Sequence, residues 1–218
     1  MGREFIEIFE EWAKDYDDSV AGQDPQYAAV FANYEGILNE VVALSAGTVL
    51  EFGVGTGNLS EKLIHAGLNV IGIEPSLAML NIAKEKLPEL TVLEGDFLTY
   101  PVIDTPVNTI VSTYAFHHLT DDEKLVAAKQ FSEILEDNGR IVFGDTMFAS
   151  EIEKQAMISD AKEKGFFALA EDLQREYYPI IDTLEDIFTT NGFDVQFKQM
   201  NHFVWILTAI KNNSVKSL

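Results

Sequence analysis

The chain has 218 residues, of which 47% are apolar, and this is enough to bury the core of one α/β domain. Its 36 acidic residues outnumber 15 basic ones and give a formal charge of −21, which argues against DNA, RNA or an anionic membrane as a partner. No cysteine is present, so disulfides, thiolate metal sites and a cysteine nucleophile are excluded.

The ends of the chain predict a cytoplasmic protein. The N-terminal sequence, Met-Gly-Arg-Glu-Phe, is acidic rather than signal-like. The longest apolar run, Phe203 to Ile210, is too short to span a bilayer. We expect a monomer or homodimer without a membrane or nucleic-acid partner.

Two helices are predicted ahead of the first strand. The first covers residues 4–17, and the side chains of its apolar face are Phe5, Ile8, Phe9, Trp12 and Tyr16. The second covers Tyr27 to Leu44 and ends near Gly47. The periodicity alone indicates helices that pack on the core.

A glycine-rich turn joins the first predicted strand, Val49 to Phe52, to a helix from Leu59 to Ala66. Its glycines at positions 53, 55 and 57 permit positive φ and let the backbone come close to a ligand. The N-terminus of the following helix points its free N–H groups towards the same ligand. A dinucleotide fingerprint needs glycine at position 58, where the chain has Asn58. The spacing instead reads acidic-x-Gly-x-Gly-x-Gly from Glu51.

The second predicted strand, Val70 to Glu74, ends in a carboxylate 23 positions after Glu51. Nucleotide-binding folds place at about this distance the acid that accepts hydrogen bonds from ribose hydroxyls, so Glu74 is predicted to bind a ribose. Gly72 inside the strand indicates a close backbone approach. Ser76 is predicted to cap a helix over Leu77 to Leu87.

The third strand, Thr91 to Glu94, leads into Asp96, which could simply bond its own turn. The fourth, Thr109 to Ser112, leads into His117 and His118. Either histidine could act as a base near neutral pH or could only pack beside a ligand. We expect no metal site there, because adjacent side chains point in different directions and no further ligand cluster is apparent.

Thr120 to Glu123 reads as a capping box that opens a helix to Leu135. The fifth strand, Arg140 to Gly144, follows a turn at Asn138-Gly139 and is followed by Asp145. Asp145 is predicted to lie at the carboxyl edge of the sheet, where it could reach an amine or hydroxyl of a substrate.

Residues 150–181 are longer than one crossover needs. We interpret them as a helical lid over a substrate site, with a purely structural insertion as the alternative. A helix over Asp182 to Thr190 and an antiparallel pair, Phe193 to Met200 and Phe203 to Ile210, complete the chain.

These motifs together resemble the class I S-adenosylmethionine-dependent methyltransferases. The runs Leu-Glu-Phe-Gly-Val-Gly-Thr-Gly-Asn-Leu, Gly-Ile-Glu-Pro-Ser, Gly-Asp-Phe-Leu-Thr and Tyr-Ala-Phe-His-His-Leu-Thr look more narrowly like the YrrT family of bacterial methyltransferases. The resemblance implies a Rossmann-like, seven-stranded, mostly parallel sheet with helices on both faces and an antiparallel last strand. It implies one domain over 1–218, made of an N-terminal helical cap (1–46), a cofactor-binding core (47–149), a lid (150–181) and a C-terminal helix with hairpin (182–218).

The same resemblance implies which residues bind S-adenosyl-L-methionine. The carboxylate of Asp96 would accept from the adenine amine, with Phe97 flanking the ring, and Glu51 would orient the glycine turn or the ammonium group. The full cofactor set is Glu51, Gly53, Gly55, Gly57, Glu74, Pro75, Asp96, Phe97 and Ser112. A small-molecule methyl acceptor would enter beside Tyr16, Tyr114, His117 and Asp145, and the methyl group would pass by in-line displacement.

Two other functions remain open at this point. A nicotinamide-dependent oxidoreductase could share the fold, although Asn58 argues against it. A protein that binds the methyl donor or its product without catalysis would carry the same motifs. An amino-methylating DNA enzyme is not indicated, because no Asn-Pro-Pro-Tyr type sequence follows the fourth strand.

Overall fold

The computed structural model describes residues 10, 13 and 16–212. The helix predicted over 4–17 lies largely outside the described residues, and Tyr16 begins the first helix of the continuous part. The helices there are α1 (Tyr16–Val20), α2 (Tyr34–Leu44), α3 (Asn58–His65), α4 (Leu77–Lys86), α5 (Asp121–Ile134), α6 (Glu151–Glu163), α7 (Phe167–Arg175) and α8 (Ile181–Thr190). The strands are β1 (Thr48–Phe52), β2 (Asn69–Glu74), β3 (Thr91–Glu94), β4 (Val107–Thr113), β5 (Leu135–Thr146), β6 (Phe193–Gln199) and β7 (Val204–Lys211). Within this part of the chain, no helix has the length and apolar character needed to cross a bilayer.

These strands form one sheet in the order β3-β2-β1-β4-β5-β7-β6. Strands β1 to β5 pair in parallel, whereas β7 is antiparallel to both β5 and β6. The predicted sheet, with an antiparallel last strand, is confirmed. Strand β1 pairs with β2 on one side and β4 on the other, so the order reverses there, and open α/β sheets bind ligands at the carboxyl ends of strands beside such a reversal.

Helices cover both faces of the sheet, as predicted. One apolar layer contains residues of α2, α3, α4, α6 and α7, and the other contains residues of α5 and α8. Val49 and Leu50 are adjacent in β1 and fully buried in opposite layers, because successive strand side chains point to opposite faces. The strands are therefore buried from both sides, as is usual for parallel sheets.

Helix α2 begins at Tyr34 rather than at the predicted Tyr27. Asn33 adopts φ 62°, a left-handed conformation through which a right-handed helix does not continue. The hydroxyl of Tyr27 donates instead to Asp172 of α7. The apolar residues ahead of α2 therefore belong to a loop, and this loop packs against α7 through Tyr27.

Strand β5 is longer than the predicted Arg140 to Gly144. Leu135 already pairs with Val107, and the register shifts before Arg140 pairs with Thr109. The predicted turn is present inside this interval, where Asn138 has φ 61°. The strand then runs on through Thr146, which brings Asp145 to its carboxyl end.

Candidate active site

The glycine turn that follows β1 has the conformation predicted from its spacing. Gly53, Gly55 and Gly57 all have positive φ, at 72°, 58° and 87°. The backbone N–H of Gly53 donates to the carbonyl of Ile73 at 2.9 Å. A Cβ on Gly53 would lie 2.8 Å from the Cβ of Ala115, so the turn is folded tightly against the segment that follows β4.

We expect Gly53→Ala to destabilise the chain more than Gly67→Ala, by about 1–3 kcal/mol in free energy of unfolding. Both glycines have φ between 70° and 80° and share the backbone strain of an L-residue there, but only Gly53 lacks space for a Cβ. Urea unfolding of the two variants measures the difference. Equal losses would contradict the close packing of the turn.

Glu51 is a buried carboxylate behind the glycine turn. It is 1% exposed, and its Oε2 accepts a hydrogen bond of 2.5 Å from the hydroxyl of Ser60 in α3. Burial raises its pKa to about 8, although the Ser60 hydrogen bond acts in the opposite direction. The side chain therefore links the end of β1 to the first turn of α3.

Glu74 lies at the end of the neighbouring strand and contacts two loops. Its Oε2 accepts from the backbone N–H of Gly55 at 2.8 Å, and its Oε1 accepts from the N–H of Ser76 at 2.9 Å. Burial raises its pKa to about 7, against the effect of these two hydrogen bonds. Half-buried Pro75 lies between Glu74 and Ser76, whose hydroxyl accepts from the N–H of Met79 and caps α4 as predicted.

Asp96 and Phe97 follow β3. One carboxylate oxygen of Asp96 accepts from the N–H groups of Leu98 and Thr99, at 2.9 and 2.8 Å. This oxygen therefore stabilises the turn that Asp96 itself begins, which was the alternative to a ligand contact. The Phe97 ring is 1% exposed and stacks on Phe52 at a centroid distance of 5.1 Å. The ring therefore packs in the core, and its contact with adenine stays a prediction.

Ser112 lies at the carboxyl end of β4, beside the glycine turn. Its Oγ is buried and has no hydrogen-bond partner among the described residues. It is 3.9 Å from the point where a Cβ on Gly53 would stand. Because an unsatisfied buried hydroxyl costs about 1–3 kcal/mol, this orphaned group fits a ligand in the crevice.

Two acids that precede the first strand bind the loops of the crevice, and sequence reasoning missed both. Asp17 accepts from the hydroxyl of Thr56 at 2.7 Å and from the side-chain amide of Asn58 at 2.9 Å. Glu10 accepts from the hydroxyl of Ser76 at 2.8 Å. Asp17 and Glu10 therefore contact the segments that follow β1 and β2, respectively.

His117 forms a buried pair with Asp145, as their predicted positions at the same sheet edge suggested. Its Nδ1 lies 2.5 Å from Oδ1 of Asp145, and its backbone N–H donates to Oδ2 at 3.0 Å. Its Nε2 lies 3.2 Å from Oε2 of Glu176, a residue that the sequence interpretation did not single out. Burial alone lowers the pKa of His117, but the two carboxylates outweigh it and raise the pKa to about 9.

The prediction that the two adjacent histidine side chains point apart is wrong. Their ring centroids are 4.1 Å apart, and Nδ1 of His118 lies 4.0 Å from the same Glu176 oxygen that contacts His117. Burial and the neighbouring His117 lower the pKa of His118 well below its usual value. One ligand atom from each of the three residues can be chosen so that all lie within 4.8 Å, which allows them to hold a metal ion.

An aromatic group connects the predicted tyrosines. The rings of Phe31 and Tyr34 lie 5.2 and 5.7 Å from that of Tyr114. Burial, together with nearby Tyr34 and Tyr114, raises the pKa of Tyr16, so Tyr16 belongs to the same group. Burial, Tyr34 and Asp145 raise the pKa of Tyr114, whose hydroxyl has no hydrogen-bond partner in the described part of the chain. Tyr114 therefore contacts the aromatic rings of Phe31 and Tyr34 and interacts electrostatically with Asp145.

The segment after α7 covers His117. The ring of Tyr178 stacks on His117 at 4.6 Å, and its hydroxyl donates to Glu176 at 2.6 Å. Fully buried Lys124 of α5 donates to the carbonyl of Tyr177 at 2.8 Å and holds this segment against the body of the protein. The apolar faces of α6 and α7 also belong to the core, so residues 150–181 combine packing with contacts at the candidate site.

Comparison with known proteins identifies close relatives of the chain. A family model described as "Methyltransferase domain" matches residues 49–139. An uncharacterized methyltransferase of Oceanobacillus iheyensis is 60% identical over 97% of this chain and 99% of that protein. An uncharacterized methyltransferase of Anoxybacillus flavithermus is 58% identical over 97% of this chain and 100% of that protein.

Solved structures of lower identity share the fold. A methyltransferase of Thermotoga maritima, described as a possible histamine N-methyltransferase, has a TM-score of 0.68 at 22% identity and covers 94% of this chain and 99% of its own. Magnesium protoporphyrin IX methyltransferase from Synechocystis, with bound S-adenosylhomocysteine, has a TM-score of 0.68 at 17% identity over 94% of this chain and 99% of its own.

Proposed function

Because the chain belongs to the class I S-adenosylmethionine-dependent methyltransferases, we propose that it transfers the cofactor's methyl group to a small-molecule acceptor held beside His117 and Asp145. The observation that carries this proposal is the buried His117–Asp145 pair at the carboxyl ends of β4 and β5. Strand β4 pairs with β1, which the glycine turn follows. Both groups lie at the edge of the sheet where the strand order reverses.

S-adenosylmethionine supplies a sulfonium methyl group that is already activated for displacement. The turn at Gly53, Gly55 and Gly57 would receive its methionine part, with Glu51 near the ammonium group or orienting the turn. Glu74 and the backbone at Pro75 would hold the ribose, Asp96 the adenine, and the orphaned Ser112 hydroxyl supports a ligand between them. Positioning of this kind can supply about 7–11 kcal/mol of barrier reduction.

Binding of the cofactor should release a proton near neutral pH. With a pKa of about 7, Glu74 is about half protonated at pH 7 before binding. Ribose hydroxyls that donate to the carboxylate favour its ionised form and lower that pKa. Titration calorimetry at pH 7 in buffers with different ionisation enthalpies should give different apparent binding enthalpies, and Glu74→Gln should reduce the difference. Unchanged buffer dependence in the variant would contradict this role of Glu74.

The acceptor would lie beside Tyr16, Tyr114 and His117. A lone pair on the accepting O, N, S or C atom would form the new bond to the methyl carbon. The carbon–sulfur bond would break, and the electron pair of that bond would stay on sulfur. The unsatisfied hydroxyl of Tyr114 supports a polar acceptor group there. His117, oriented by Asp145, would contact the acceptor as a protonated imidazolium near neutral pH, because the two carboxylates raise its pKa to about 9.

An acceptor screen tests the proposal. Small metabolites grouped by accepting atom are incubated with the chain and S-adenosylmethionine, and S-adenosylhomocysteine is quantified by mass spectrometry. We expect turnover with one acceptor class, and a loss of about a hundredfold or more in kcat for Asp145→Asn with an unchanged cofactor Kd.

Thermal shifts separate this function from its alternatives. Both sulfur nucleosides should raise the melting temperature and NADH should not, since a ligand at 100 times its Kd adds about 2.7 kcal/mol of stability. Stabilisation without turnover on any acceptor would favour a non-catalytic binder. Stabilisation by NADH alone would overturn the cofactor assignments.

A further inference from the structure

We propose that His117, His118 and Glu176 bind one divalent transition-metal cation of the zinc type at the acceptor side of the crevice. All three side chains are largely buried, at 7%, 5% and 11% exposure. They come from two distant parts of the chain, the short 3-10 helix after β4 and the segment after α7. The fold therefore brings together two imidazoles and one carboxylate, a set that no short sequence motif predicts.

The distances suit a shared cation. Oε2 of Glu176 lies 3.2 Å from Nε2 of His117 and 4.0 Å from Nδ1 of His118. Zinc bonds of about 2.0–2.2 Å separate two ligand atoms by roughly 3–4 Å. One ligand atom from each of the three residues lies within 4.8 Å of the other two, a spacing that is only slightly wider than that of bound zinc ligands.

The surrounding hydrogen bonds orient the ligands as metal sites do. Asp145 binds Nδ1 of His117, which leaves Nε2 directed at Glu176. Tyr178 donates its hydroxyl to the same Glu176 oxygen. Metal-bound histidines commonly donate their other N–H to a carboxylate, and bound carboxylates are themselves hydrogen-bonded.

A simple ion pair does not account for the whole arrangement. His117 alone would be sufficient to pair with Glu176, yet the fold brings a second buried imidazole to within 4.0 Å of the same oxygen. A bound cation uses both imidazoles, whose ring centroids are 4.1 Å apart, as neutral ligands. The second imidazole is thus the feature that favours a metal ion.

The ligand set indicates the class of cation. Two imidazole nitrogens and one carboxylate suit Zn²⁺, Fe²⁺, Co²⁺ or Ni²⁺ better than Mg²⁺ or Ca²⁺, which prefer oxygen ligands. Three protein ligands leave a coordination position open, as in catalytic zinc sites. If the proposed function holds, the accepting atom of the substrate can occupy that position, and this last step alone depends on the proposed function.

Metal content and affinity test the site without cofactor or acceptor. The full chain is stripped with a chelator, equilibrated with Zn²⁺ in the presence of excess Mg²⁺, dialysed and analysed by mass spectrometry of the metal. We expect about one Zn²⁺ per chain, and binding at least tenfold weaker in His118→Ala and Glu176→Gln. Asp145→Asn should weaken binding about 10–100-fold through His117. Co²⁺ bound to the unchanged chain should show the visible absorption of a low-coordinate nitrogen and oxygen site.

His65→Ala and His202→Ala are the matched controls, because both histidines are exposed and remote in sequence from the cluster. Both should keep full metal binding. Circular dichroism verifies that each variant is folded, and Glu176→Gln keeps the shape of the side chain if His118→Ala does not fold. Absence of stoichiometric Zn²⁺, or equal binding by all variants, would overturn the site. Metal binding that persists in a chain unable to methylate any acceptor would refute the proposed function and leave the site intact.

Discussion

A Glu74→Gln variant is expected to bind S-adenosylmethionine about 10 to 100 times more weakly, which corresponds to about 1.4–2.7 kcal/mol. The carboxylate of Glu74 already accepts from the N–H groups of Gly55 and Ser76, one on each oxygen. Each oxygen retains a second lone pair for a ribose hydroxyl, and hydrogen bonds to a charged acceptor contribute about 1.5–3 kcal/mol. An amide offers one accepting oxygen and loses the charge. Titration calorimetry measures the change.

Two comparisons separate ribose binding from a general loosening of the loops. Glu94→Gln changes the exposed acid that is in register with Glu74 on β3 and should leave cofactor affinity unchanged. A cofactor analogue without the 2′-hydroxyl should lose affinity for the unchanged chain but little further affinity for Glu74→Gln, because the interaction is already absent. If the loss of affinity from Glu74→Gln and the loss from removing the 2′-hydroxyl are additive, Glu74 does not contact that hydroxyl.

The sequence predicted the fold well because its strands carry local signals that the packing does not override. The capping box at Thr120 is present, with Glu123 Oε2 accepting from the Thr120 N–H at 2.8 Å. Gly72 was expected to mark a close approach, and a Cβ there would lie 2.5 Å from a methyl of Val54. In both cases one or two residues determine the local geometry, so a pattern of a few residues is enough.

Helix boundaries were less predictable where a tertiary contact decides them. Apolar spacing extended α2 back to Tyr27, but Asn33 turns the chain before Tyr34. Tyr27 then contributes its hydroxyl to Asp172, far along the sequence. The periodicity records that Tyr27 is partly buried and does not record against which element it packs.

In the candidate site, too, some residues were predictable from the sequence and others depend on tertiary contacts. His117 and Asp145 were predicted together because parallel strands bring their carboxyl ends to one edge. Glu176 was missed because it lies in an irregular segment after α7, although the neighbouring Tyr177-Tyr178-Pro179 run marked the region as unusual. Phe97 packs against Phe52 in the core, and its aromatic character suits the core as well as an adenine ring, so sequence spacing does not distinguish the two.

The free energy of unfolding should fall by about 3–5 kcal/mol between pH 5 and pH 9 through Glu51 alone. In the unfolded chain this group loses its proton near pH 4.5, whereas in the folded chain burial raises the pKa to about 8. Between these two pKa values the folded state binds more protons than the unfolded state. The contribution of Glu51 to the free energy of unfolding is therefore fully present below pH 4.5 and is lost as the pH rises through 8. Urea unfolding at successive pH values measures the slope.

Glu51→Gln isolates this contribution from that of other groups. The amide oxygen can still accept from the hydroxyl of Ser60 but carries no titrating proton. The variant should therefore lose less stability with rising pH and should be more stable than the unchanged chain at pH 9. Glu185→Gln on the exposed side of α8 should keep the original slope. A slope that is the same in Glu51→Gln would refute the buried, protonated state of Glu51.

Repeating the series with saturating S-adenosylmethionine distinguishes the two roles open to Glu51. If the cofactor's ammonium group pairs with this carboxylate, the nearby positive charge lowers its pKa and removes the Glu51 part of the slope. If Glu51 only orients the turn through Ser60, its pKa stays raised and the difference between the unchanged chain and Glu51→Gln persists with cofactor bound. The cofactor-bound slope therefore decides whether this buried acid binds the ligand or only supports the loop that does.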